Sequence, residues 1–118
     1  MTPEPWDVPV TEEGRRVLTE LVARYRASAQ MRELGISLSR LAHCVKHVGT
    51  GDGADAFAAS AWFGKEAVEA LRQTDDKKEL ARALRIAAVP LVAGLDHQAL
   101  LKESLLIARE IGDKEEEG

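Results

Sequence analysis

The chain has 118 residues, of which 45% are hydrophobic, 31% charged and only 4% aromatic, and its formal net charge is −4. A domain of this size buries about two thirds of the surface its unfolded chain exposes, and the prominence of Ala, Leu, Arg and Glu favours helix over strand, so an all-α fold is expected. The single cysteine, Cys44, excludes an internal disulfide framework, and an acidic chain without a basic arm argues against bulk phosphate neutralisation, so nucleic acid is not an expected partner.

The charge is unevenly spread: residues 1–13 carry −4, residues 113–118 carry −3, and the body between them is +3. No basic leader followed by an apolar run opens the chain. The longest near-apolar stretch, residues 86–95, is half of the roughly 20 residues a membrane helix needs. A cytoplasmic protein with no membrane partner is therefore the expectation.

In chain order, Thr2-Pro3-Glu4-Pro5-Trp6-Asp7-Val8-Pro9 is expected to be extended, because its prolines restrict their neighbours. It is either a free tail or a docked strap pinned by Trp6, the one residue there with a large apolar area. Thr11 is placed to cap a first helix over residues 12–28, with Glu12 and Glu13 in its first turn and Val17, Leu18, Leu21, Val22 and Tyr25 on one face.

Leu34, Leu38, Leu41, Ala42, Val45 and Val48 mark a second helix ending at the glycine cluster 49–53. That cluster lacks the Gly-Lys-Ser/Thr ending of a phosphate loop and reads as a turn. A third helix, about residues 54–73, carries Phe57, Ala61, Gly64, Val68 and Leu71 on one stripe and Ala59, Trp62, Phe63, Ala67 and Ala70 elsewhere. A helix apolar on more than one side is expected to be covered on both flanks.

The fourth helix starts at an Asp76 cap, presents Leu80, Ala83, Leu84, Ala87, Ala88 and Leu91, and is expected to kink or end near Pro90, before Gly94. Asp96 is placed to cap a fifth helix with Leu101, Leu105, Ala108 and Ile111 in its core stripe and Gly112 at its C-terminal cap. Asp76-Lys77-Lys78-Glu79 recurs 37 residues on as Asp113-Lys114-Glu115-Glu116. In each copy the Asp can accept helix-start N–H groups while the Glu three residues later reaches back, so the second copy announces a further helix.

These patterns carry a resemblance. Leu38-x-x-Leu41-Ala42-x-x-Val45 before Gly49, and Leu84-x-x-Ala87-Ala88-x-x-Leu91 before Gly94, resemble the first helix of a tetratricopeptide repeat. Glu66-Ala67-Val68 and the run Glu103-Ser104-Leu105-Leu106-Ile107-Ala108-Arg109-Glu110-Ile111-Gly112-Asp113 look like the end of its second helix. The resemblance implies stacked antiparallel helix pairs, a solenoid fragment of about five helices: an extended tail over 1–11, a capping helix over 12–28, repeat one over 30–74, repeat two over 76–112, and a further helix or tail from 113 to 118. Departures are the unequal spacings, 46 residues between the first-helix patterns against 37 between the second-helix ones, and Ser60 and Gly64 where the family tends to keep an alanine and an aromatic. Two repeats are fewer than usually stand alone, which implies either a longer array or another chain over the open end.

Functionally, the resemblance implies a non-catalytic module that binds a protein or peptide in the groove lined by the first helix of each repeat. It places Ser39, His43, Lys46, His47, Arg82 and Arg85 there. That surface is basic and suits an acidic segment or a C-terminal carboxylate, because Arg offers paired donors to a carboxylate; the alternative is an ordinary solvated helix face. The Lys and Asn pattern of chaperone-binding members is absent. A second possibility is a homodimer formed through the uncovered edge bearing Leu101, Leu105, Leu106 and Ile111.

A third possibility rests on His43-Cys44-x-x-His47, since histidines four apart share a helix face and could hold a metal. Their remaining ligands are not evident in the sequence, and no Ser, His and acid constellation suggests nucleophilic catalysis. No metal and no cofactor is expected.

Overall fold

Thr11 does what its position suggests: its hydroxyl accepts from the Gly14 N–H at 3.0 Å and starts helix α1, Glu12–Ala27. The computed structural model describes residues 4–51, 53, 55–88 and 97–117, and is all-helical over them. The other helices are α2 (Met31–Val48), α3 (Ala56–Leu71), α4 (Lys77–Ala88) and α5 (His97–Glu117). Each packs on the next in sequence, and α2 also packs on α4.

The leucine rows of α1, α2 and α4 lie where their spacing puts them, as does Leu71 of α3. Leu18, Leu38, Leu71 and Leu84 are fully buried, with Leu21, Val22, Leu34, Leu41, Val45 and Val68 around them, so one core runs through α1 to α4. Buried serines tie the helices of each pair: Ser60 Oγ donates to the Ala42 carbonyl at 2.7 Å, and Ser104 Oγ to the Ala81 carbonyl at 2.9 Å. Such bonds satisfy the hydroxyls inside the core, which is why serine is tolerated there. At α3 and α4 the backbones approach closely, since a Cβ on Gly64 would lie 2.8 Å from the Ala87 Cα. An aromatic side chain has no room at Gly64.

The structure corrects four expectations. Residues 1–11 are not uniformly extended: Pro5–Asp7 forms a 3-10 turn, with Pro at its first position, where a missing N–H costs nothing. Gly112 does not cap α5, which continues through Asp113 to Glu117, so the second Asp-Lys-Glu-Glu copy lies inside a helix rather than starting one. Glu79 does not reach back to close a capping box, although Asp76 Oδ1 accepts from the Glu79 N–H at 3.0 Å; the Asp76 N–H goes to Thr74 Oγ1 at 3.2 Å instead. Finally, α3 is flanked by α2 and α4, yet Phe57 and Trp62 stay 58% and 62% exposed, so part of its apolar surface faces outward. Helix α4 ends at Ala88; the expectations for Pro90, Leu91, Gly94 and Asp96 lie outside the described residues.

Candidate functional site

Helices α2 and α4 run side by side in the same direction. Near their starts Arg32 Nε meets Asp76 Oδ2 at 2.8 Å, and two to four turns further on Lys46 and Arg85 share a cavity. Short connections make α3 antiparallel to both, so it lies behind them as a floor. Residues on the open faces of α2 and α4 therefore confront one another across a groove.

The cavity in this groove has a volume of about 340 Å³ and is lined by His43 and Lys46 from α2, Ser60 from α3, and Arg82, Arg85 and Ile86 from α4. Four of the six residues placed at the groove by sequence, His43, Lys46, Arg82 and Arg85, thus come together. The other two do not join them. Ser39 is fully buried, and its hydroxyl, like that of Ser37, has no hydrogen-bond partner among the described residues, so it cannot touch an incoming molecule. His47 is exposed beside His43, their rings edge to face at 4.5 Å, but it is not in the cavity wall.

Electrostatically the wall is one-sided. Among the described residues no carboxylate pairs with Lys46 or Arg85, while Arg82 has Glu79 Oε1 at 3.4 Å. Burial, followed by repulsion from His47, Arg40 and Lys46, lowers the His43 pKa from its ordinary value of 6.5, so the ring is neutral at physiological pH and the cavity's charge resides on Lys46, Arg82 and Arg85. Guanidinium and ammonium groups converging from two helices favour an anion between them.

Immediately beside the cavity lies Trp6. Its indole N–H donates to Glu79 Oε2 at 3.1 Å, and its ring has the guanidinium carbon of Arg82 at 4.5 Å and that of Arg40 at 5.9 Å from its centroid. Arg40 also donates from Nε at 3.0 Å and Nη2 at 2.7 Å to the Val8 carbonyl, while the Val8 side chain is 3% exposed. The strap is docked. Arg40, Glu79, Ser60 and Ile86 were not placed at the groove from sequence, where Glu79 was read as part of a helix cap and Ser60 only as a departure from the repeat pattern. Arg40 and Glu79 each lie one turn before a residue that was, His43 and Arg82, so extending the three-residue spacing backwards would have reached them.

His43 and His47 gain no third His, Cys, Asp or Glu among the described residues. Cys44 points away from them into the core, fully buried, its thiol donating to the Thr11 carbonyl at 3.4 Å, and burial raises its pKa. On α5, Leu101, Leu105 and Leu106 are 44%, 64% and 58% exposed, Ala108 is exposed too and Ile111 is partly buried, so three of the four edge residues are open to solvent. This corrects the expected core stripe of Leu101, Leu105, Ala108 and Ile111, since α5 packs inward through Leu100, Ser104 and Ile107 instead. No helix among the described residues is long and apolar enough to cross a membrane. No family model, curated protein or solved structure matches the chain.

Proposed function

We propose that this domain is a non-catalytic, tetratricopeptide-like binding module of the cytoplasm, with the groove between α2 and α4 as its site and an acidic peptide segment or C-terminal carboxylate as its ligand. The observation that carries this reading is the cavity itself. Lys46, Arg82 and Arg85 converge there from two helices, with His43 beside them, while Glu79 next to Arg82 accepts the Trp6 indole N–H. Helix pairs stacked with their first helices side by side support the tetratricopeptide likeness, as do the small residues at the α3–α4 contact.

The test is calorimetric titration of a short Glu- and Asp-rich peptide into the chain and into a Lys46→Glu, Arg85→Glu variant. Charge reversal is expected to weaken binding at least about tenfold, or about 1.4 kcal/mol. Equal affinity for both proteins, or no binding to either, contradicts the reading.

The exposed leucines of α5 favour a second one, self-association through that face. Sedimentation at micromolar concentration decides it: a strict monomer removes it, and a dimer dissolved by Leu105→Glu supports it.

A further inference from the structure

The indole of the strap is held by side chains of α2 and α4. Arg40 comes from α2, Glu79 and Arg82 from α4, and together they hold an indole at its N–H and over its ring. Glu79 leaves its capping role unfulfilled to accept the indole N–H. The strap's own chemistry is that of the ligand class proposed above: Glu4 and Asp7 flank Pro5 and Trp6, so carboxylates accompany the anchor. Arg82 belongs to both places, stacked on Trp6 and lining the cavity. A ligand that fills the basic cavity and continues along the groove therefore meets Trp6 at its next step.

Resting on the acidic-ligand reading, we infer that the groove has a second, aromatic subsite formed by Arg40, Glu79 and Arg82, which recognises a tryptophan of the partner segment and is plugged by the chain's own Trp6 until that segment displaces it. Glu79 supplies the discrimination. Its carboxylate accepts the indole N–H and pairs with Arg82, so a partner anchored by Phe or Leu would leave it half satisfied. The guanidiniums over the ring favour a π face over an aliphatic chain. Val8, in the core and bonded through its carbonyl to Arg40, tethers the strap while Trp6 swings out.

Removal of the plug gives the test. The full chain with Trp6→Ala is expected to bind N-acetyl-tryptophanamide saturably, the unaltered chain to bind it at least about tenfold more weakly, and Trp6→Ala combined with Glu79→Ala to lose it. Equal binding by the folded Trp6→Ala chain and the unaltered chain overturns the inference, as does equal binding with and without Glu79, or none to the folded Trp6→Ala chain.

A second measurement needs no loss of Trp6. In a Trp62→Phe chain labelled with 5-fluorotryptophan, the peptide Glu-Pro-Trp-Asp is expected to move the single fluorine resonance to its solvent-exposed position, and Glu-Pro-Ala-Asp to leave it in place. A resonance unmoved by excess Trp peptide, or moved equally by both, overturns the inference. A strap exchanged between two copies would instead make the unaltered chain a dimer that Trp6→Ala dissolves, and that outcome also overturns it. A Trp-free acidic peptide that fails to bind the unaltered chain speaks against the acidic-ligand reading alone, because N-acetyl-tryptophanamide carries no carboxylate for Lys46 and Arg85 to bind.

Discussion

At Gly64 an added Cβ would lie 2.8 Å from the Ala87 Cα, a backbone atom that yields only if α4 moves, whereas at Gly112 it would meet nothing within 4 Å. The same Gly→Ala change should therefore act with opposite signs. Gly64→Ala is expected to destabilise by about 1–3 kcal/mol through overpacking, and Gly112→Ala to stabilise by about 0.5–1 kcal/mol through helix propensity, read from urea midpoints. Loss of stability at Gly112 would mean that the residue ends a helix after all. Asp76 offers a pH test. Burial alone would raise its pKa, but the Glu79 N–H and the Arg32 guanidinium outweigh it and hold the carboxyl below its ordinary value of 3.8. A depressed folded-state pKa contributes stability above the unfolded value and loses it as pH falls through the folded one. Asp76→Ala should therefore cost about 1 kcal/mol at neutral pH, shrinking toward zero as acid protonates the residue. A gap unchanged between about pH 7 and pH 2 contradicts this assignment.

Among the elements, the end of α1 is closed by a residue that departs from the usual choice. The Gln30 N–H donates to the Tyr25 carbonyl at 3.0 Å and the Ala29 N–H to the Arg26 carbonyl at 3.3 Å, with Ala29 at φ 56° where glycine is normally found. Ala29→Gly should raise stability by about 1 kcal/mol by relieving the left-handed strain, and a lower melting temperature would show that the turn does not hold. Nothing in the sequence around Ala29 announces that conformation, because the fold imposes it by docking α2 after a short connection. Other ends were legible. Thr11 and Asp76 cap as their side chains dictate, since a cap needs only local geometry. The end of α5 was not: Gly112-Asp113 has the local signature of a stop, yet an interior Gly costs a helix only about 1 kcal/mol, so the helix can run through it. Period alone also could not tell that Phe57 and Trp62 face outward, since α3 is apolar around most of its circumference.

Over the whole molecule, the site was legible as far as helical spacing reaches. His43 and Lys46 on α2, and Arg82 and Arg85 on α4, are three residues apart, so each pair shares a face wherever the helix sits, and stacking turns the two faces toward one groove. Ser39 escaped that logic. It lies on the same side of α2 as His43, but the rotation that packs α2 against its neighbours takes it fully into the core. The contact between Trp6 and Glu79 spans 73 residues and had no local signal beyond an aromatic ring in an otherwise apolar-poor strap. The ion pairs Arg26–Glu66, Arg72–Glu103 and Lys77–Glu110 add orientation between elements, although exposed pairs of this kind contribute about 0–1 kcal/mol each. What matters for function is that cations gather in the groove and exposed leucines on α5, on different helices. The most direct measurement is amide chemical-shift mapping of the labelled chain during titration with the Glu- and Asp-rich peptide. The largest changes should fall on residues 43–47 of α2 and 82–86 of α4, with α5 little affected; changes centred on Leu101, Leu105 and Leu106, and none in the groove, would contradict the assignment of the site.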